Sequence, residues 1–283
     1  MSGTRAQGVT GASTVTPSGT FGLWPRVRDD RLFFGLIALL IALAWLSLWL
    51  WQQSPYARFL GHEEIGGMEP SGQGYLVLLG LFVGGWTLMT VAMMLPTSLP
   101  LVAFFRTFVR RRPHRVSLVA LLVVGYVGVW AAFAGIVHAG DLGIHAAVER
   151  VGWLEANAWG ISAATFLVAG VYQFTALKYR CLDKCRSPVS FVMQNWRGGR
   201  ERWDAFRLGV RHGIFCLGCC WSLMLLMFAV GVGNIAWMLV LAVVMATEKN
   251  MPWGRRLSAP LGIVLIGSGL VLALAGTLGV EAL

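Results

Sequence analysis

Seven long apolar stretches, with every Lys, Arg, Asp and Glu confined to the tails and intervals between them, tie this chain to a lipid bilayer. The stretches cover residues 32–51, 75–95, 116–137, 159–177, 213–230, 234–247 and 260–278. Most approach or exceed the roughly 17 to 25 residues that a helix needs to cross a membrane. Within the hydrocarbon layer backbone polar groups must bond to one another, which continuous runs of this length achieve as helices. The expected fold is therefore all-α, a polytopic transmembrane bundle of about seven helices, or six or fewer if the fifth and sixth segments merge or re-enter. Composition agrees: 57% of residues are hydrophobic and only 13% charged.

The intervals alternate in charge. Arg5, Arg26, Arg28 and Arg31 precede the first stretch, Arg106, Arg110, Arg111, Arg112 and Arg115 follow the second, and nine basic residues lie between Lys178 and Arg211. Lys249, Arg255 and Arg256 follow the sixth, whereas the first and third intervals are acidic, with Glu63, Glu64 and Glu69 in one and Asp141, Glu149 and Glu155 in the other. By the positive-inside rule the amino terminus is cytoplasmic and the carboxyl terminus external, as in a multi-pass protein of the cell membrane. The net charge of +10 then reports topology and gives no reason to expect nucleic acid as a partner. Residues 1–31, rich at their start in Gly, Ser and Thr, read as a disordered cytoplasmic tail, and 32–283 as one bundle. The tail is not a secretory signal, since the first apolar run is long enough to span.

This topology gathers the sulfur chemistry on the cytoplasmic side. Cys216, Cys219 and Cys220 begin the fifth apolar stretch beside His212, and helical spacing of three and four places the three thiols on one face. Cys181 and Cys185, four apart, share a face if their segment is helical. Lys178, Arg180, Lys184 and Arg186 surround this second pair and favour thiolate over thiol. Met93 and Met94 end the second stretch just before Pro96 and Pro100, and Glu248 closes the sixth. Clustered thiolates with thioether or imidazole suit copper(I), while four thiolates suit zinc. Copper(I) is the first expectation and zinc the second. Five cysteines on a reducing side are expected to be free thiols rather than a disulfide framework.

Other polar residues have plainer expected roles. Pro96 and Pro100 end or kink the second helix, Gln173 bonds a neighbouring helix, and Asn234 caps the sixth. Glu248 serves either as a ligand or in a boundary ion pair with Lys249 snorkelling to the surface. On the external side His138, Asp141 and His145 are spaced so that a helical turn aligns them, a second candidate site for copper(II) or zinc. His62, Glu63, Glu64, Met68 and Glu69 are candidates to add to it. Gly80 and Gly84 have the spacing of a helix dimer face, leaving a homo-oligomer open.

Three segments carry a resemblance. Trp86–Pro96 (WTLMTVAMMLP), Gly170–Pro188 (GVYQFTALKYRCLDKCRSP) and Arg211–Met224 (RHGIFCLGCCWSLM), completed by GVGNIAWM and the pair Glu248, Lys249, resemble the predicted metal-binding integral membrane proteins of bacteria, some described as copper chaperones. The resemblance covers roughly residues 75 to 255. It implies binding of a metal at the cysteines and exchange with a metal-accepting or metal-donating protein. One position departs: Gly233 stands where the family pattern often has Met, which leaves the thiols more central. The reading is a membrane protein that binds copper(I) at Cys181, Cys185, Cys216, Cys219 and Cys220, helped by His212, Met93 and Met94, and delivers it without catalysis. Two alternatives remain at this stage. One is a membrane thiol-disulfide oxidoreductase, an enzyme that would use the same cysteines in pairs. The other is a metal transporter.

Overall fold

The computed structural model describes residues 24–53, 73–231 and 234–278, and no strand occurs among the described residues. In chain order the helices are α1 (Trp24–Gln52), α2 (Gln73–Met93), α3 (Leu99–Phe108), α4 (Arg115–Arg150), α5 (Gly152–Ala156), α6 (Trp159–Tyr172), α7 (Ala176–Cys185), α8 (Pro188–Asn195), α9 (Glu201–Val230), α10 (Ile235–Asn250) and α11 (Ser258–Thr277). Short 3-10 turns at Pro96–Ser98 and Gly254–Leu257 precede α3 and α11. The chain divides into two compact units, Met1–Leu39 and Leu40–Leu283, with the division inside α1. In the first, the described chain is the start of α1, where the rings of Phe33 and Phe34 meet edge to face at 5.5 Å. Residues 1–23 of the expected tail, and His62, Glu63, Glu64, Met68 and Glu69, lie outside the described residues.

The all-α bundle is present, but the apolar stretches are not seven equal crossings. Five described helices are long and apolar enough to span: Arg31–Gln52, Tyr75–Met93, Arg115–Arg150, Glu201–Val230 and Gly254–Thr277. The fourth stretch is broken into α6 and α7 with a bend of 66°, and counts as a sixth crossing only if the bent pair is one span. The sixth stretch forms α10, whose 16 residues reach only about 24 Å at 1.5 Å per residue, short of the ~30 Å hydrocarbon layer. Three of the intervals are themselves helical. The second contains α3, the third holds the end of the 36-residue α4 and α5, and the fourth is α7, α8 and the first turns of α9.

Local chemistry explains the breaks. Pro96 has no N–H to give the Ala92 carbonyl, and α2 ends at Met93. The freed Ala92 oxygen accepts instead from the Trp45 indole at 3.2 Å. The bend between α6 and α7 falls at Thr175, whose extended backbone stops one helix while its hydroxyl caps the next by accepting from the Lys178 amide at 3.3 Å. Asn234 caps α10 in the same way, accepting from the Trp237 amide at 3.2 Å, as its position implied. Glu201 and Asp204 occupy the first turn of α9, where carboxylates favour the helix dipole.

α9 is the central strut. It packs against α4 most extensively, and also against α7 and α6, while α6 packs on α11 and α2 on α4. Close approach of α4 and α9 depends on Gly209, because a Cβ there would lie 2.0 Å from the Leu122 carbonyl oxygen of α4. Gly209→Ala must push two backbones apart and is expected to cost about 1–3 kcal/mol. Thermal unfolding in detergent checks this, and an unchanged transition contradicts the α4–α9 contact.

Candidate metal centre

Cys216 lies halfway along α9, not at its start, and is fully buried together with Cys219 and Cys220. Helical spacing does what the sequence required: the thiols of Cys219 and Cys220 both turn back onto the Cys216 carbonyl, at 3.1 and 3.0 Å. Across the interface α7 brings the second pair. Cys185 packs against the buried cluster that holds Cys216, Cys219 and Cys220. Cys181 lies one turn earlier, where its sulfur packs so closely on Gly218 that a Cβ there would stand 2.6 Å away. Tyr172 of α6 donates its hydroxyl to the Gly218 carbonyl, tying this turn of α9 from a third helix. All five thiols are free.

The end of α2 supplies the opposite wall. Met94 approaches Cys220 with 3.7 Å between their sulfur atoms, and its carbonyl accepts from Thr97 Oγ1 at 2.8 Å and Tyr126 at 3.3 Å. The Tyr126 hydroxyl, on α4, also meets Cys216 Sγ at 3.1 Å. Met93 is buried in the same core, with Met89, Met224, Met227, Met238 and Met245 around it. His212 is one turn before Cys216, and its polar contact is to another side chain. Its Nε2 lies 3.2 Å from Ser98 Oγ and its ring packs on Tyr126 and Phe191.

Two lysines change the picture drawn from sequence. Lys249, which snorkels in one of the two readings of Glu248, is 6% exposed and points inward, with Nζ 3.0 Å from Cys216 Sγ, 3.8 Å from Cys220 Sγ, 3.6 Å from Met94 Sδ and 3.2 Å from Thr97 Oγ1. Glu248 does not pair with it. The Glu248 carboxylate takes the ammonium of fully buried Lys178 at 2.8 and 3.0 Å and the Ser258 hydroxyl at 2.6 Å. Gln173, at the α6–α7 bend, accepts from the same ammonium and donates to the Ala169 carbonyl at 2.9 Å. Arg186 reaches from the end of α7 to the carbonyls of Glu248 and Pro252. Glu248 thus fastens α7 to α10 and is occupied by its own partners, whereas Lys249 is the residue that enters the sulfur cluster.

The external candidates fare differently. His145 Nδ1 lies 3.0 Å from the Asp141 carbonyl oxygen and 3.7 Å from the Asp141 carboxylate, the i,i+4 pairing that their spacing required. His138, 1% exposed, turns into the bundle between Phe82 and Tyr75, with ring centroids 5.1 and 5.8 Å away. Among the described residues, no group of three or more His, Cys, Asp or Glu side chains is arranged to hold a metal ion. At the thiols the reason is visible, because Cys219 and Cys220 are engaged with a carbonyl and must rotate before they can serve as ligands.

Residues 83–272 match the family model of the PpoB2 copper chaperones. The chain belongs to that copper chaperone family. The match begins within α2 and ends within α11, so it contains every sulfur described above. No curated protein and no solved structure matches the chain. Lys178, read as a charge beside the Cys181 and Cys185 pair, is instead bonded to Glu248, and Lys249, for which pairing with Glu248 was one of two readings, is bonded to the thiols. The available signal was a basic residue at the edge of each of two apolar stretches, with Glu248 beside one of them.

Removing one member of a buried ion pair leaves a bare charge in an apolar interior, so Glu248→Gln is expected to destabilise the copper chaperone by about 3–5 kcal/mol. Adding Lys178→Met should restore most of that loss. Unfolding midpoints of the single and double variants in one detergent test the pairing, and additive losses speak against it.

Proposed function

We propose that this protein is a membrane-embedded copper chaperone that takes copper(I) as cargo at thiols gathered around Cys216 and hands it to a protein partner. The observation carrying this reading is the packing of α7 on α9, which sets Cys181 against Gly218 and Cys185 against the buried cluster of Cys216, Cys219 and Cys220. Soft sulfur donors of this kind suit copper(I), which accepts as few as two of them, and a two-donor grip needs no preformed group of three. Cys185 and Cys216, on separate helices, grip the ion in this reading. Cys219, whose thiol is held by a carbonyl and can be released by rotation, is the exchanging ligand. The family match supports copper over zinc.

Delivery requires lability. A donor from the partner can attach while one of several neighbouring thiols leaves, so the ion is never bare. His212, Met93, Met94 and Glu248 are not needed as direct ligands in this account, and Cys181 supports the turn of α9 at Gly218. The alternation of basic and acidic intervals supports a cytoplasmic position for the α7 end of the bundle and delivery on that side.

Elemental analysis of purified protein loaded with copper(I) tests the reading. Cys216→Ser is expected to weaken binding by about a hundredfold and to lose most bound copper after dialysis against a competing chelator. A variant that keeps the wild-type copper content removes Cys216 from the site, and wild-type protein that binds none removes the function.

A further inference from the structure

Within the copper reading above, we infer that Lys249 is the built-in counter-ion of the site and divides the sulfur cluster into a filled half and a cargo half. Four polar or soft atoms from two regions, Cys216 Sγ, Cys220 Sγ, Met94 Sδ and Thr97 Oγ1, converge on one ammonium at 3.0 to 3.8 Å. An ion held jointly by Cys216, Cys220 and Met94, at the ~2.3 Å usual for a metal–thiolate bond, would need the space that Nζ occupies. The ammonium therefore closes that half to cargo. Cys216 also belongs to the buried cluster against which Cys185 of α7 packs, and the lysines of α7 are bonded to Glu248 and Gln194.

Charge balance then fixes how many thiolates hold the cargo. In a low-dielectric interior an uncompensated charge is costly, so the loaded centre is most stable when neutral. One copper(I) and one ammonium together carry two positive charges, matched by two thiolates. Cys216 is shared by both cations, and the second thiolate comes from Cys185 across the helix interface. Without Lys249 the same two-thiolate complex would be a buried anion. With a divalent ion in its place the two-thiolate complex would be a buried cation, so the ammonium also biases the site towards a monovalent cargo.

The test uses full-length protein in detergent with copper(I) under anaerobic conditions, competing against a chromophoric copper(I) chelator. Lys249→Met, which keeps the length of the side chain, adds a thioether and removes the charge, is expected to weaken binding by about ten- to hundredfold, while Lys249→Arg stays within about threefold of wild type. Copper-edge X-ray absorption of the wild type should show two short copper–sulfur bonds. Cys220→Ser, a change that does not depend on Lys249→Met folding, should shift affinity by no more than about threefold, against about a hundredfold for Cys216→Ser. Lys249→Met binding as tightly as wild type or tighter, three or more short sulfur bonds, or a Cys220→Ser loss equal to that of Cys216→Ser each overturn the counter-ion assignment while leaving the chaperone reading intact. Wild-type protein that takes up no copper(I) overturns both.

Discussion

A positive charge enclosed by hydrocarbon and protein must have a negative or strongly polar partner, and two lysines impose that condition on this bundle. The penalty for an isolated buried ion is several kcal/mol even after relaxation, enough to decide which helices lie together. Lys178 meets its condition with Glu248, Gln173 and the neighbouring Ser258, and so joins α6, α7, α10 and the start of α11. Lys249 meets its condition with sulfur, and so joins α10 to α9 and to the end of α2. The thiol cluster is therefore part of the electrostatic framework of the bundle.

The fold was legible because length and hydropathy are local properties. Asn234 as a cap and Pro96 as the end of α2 both followed from short-range chemistry, and the structure has each of them, whereas Gln173 bonds Lys178 and the Ala169 carbonyl close by in the chain. Helical spacing likewise brought the thiols of Cys219 and Cys220 to the Cys216 carbonyl. What escaped was three-dimensional. A boundary lysine looks the same in sequence whether it reaches up to water or down into a core, and Lys249 turns inward because its target thiols belong to a helix about thirty residues away in the chain. Glu248 looked available for a metal until Lys178, seventy residues earlier, arrived at its carboxylate. The bend at Thr175 was hidden inside an apolar run, since hydropathy does not register a single capping hydroxyl.

Membership of the copper chaperone family and the sulfur geometry bear on function from different directions. Family membership points to copper, whereas the geometry shows the thiols of Cys219 and Cys220 engaged with a carbonyl. Thiols that donate to a carbonyl form weak bonds and can be recruited by rotation about one side-chain torsion. A rigid tetrahedral cage would hold more tightly and exchange more slowly.

Glu248 and Lys249 are successive residues of one helical turn, so their side chains leave the axis about 100° apart. One is anchored to the helix that carries Cys185, the other to the helix that carries Cys216. The tip of α10 is consequently a two-pronged rivet through the seam where α7 and α9 meet. Any displacement of α10 would therefore pull on both attachments at once, so the contact of α7 with α9 and the charge beside Cys216 are mechanically linked through one helical turn.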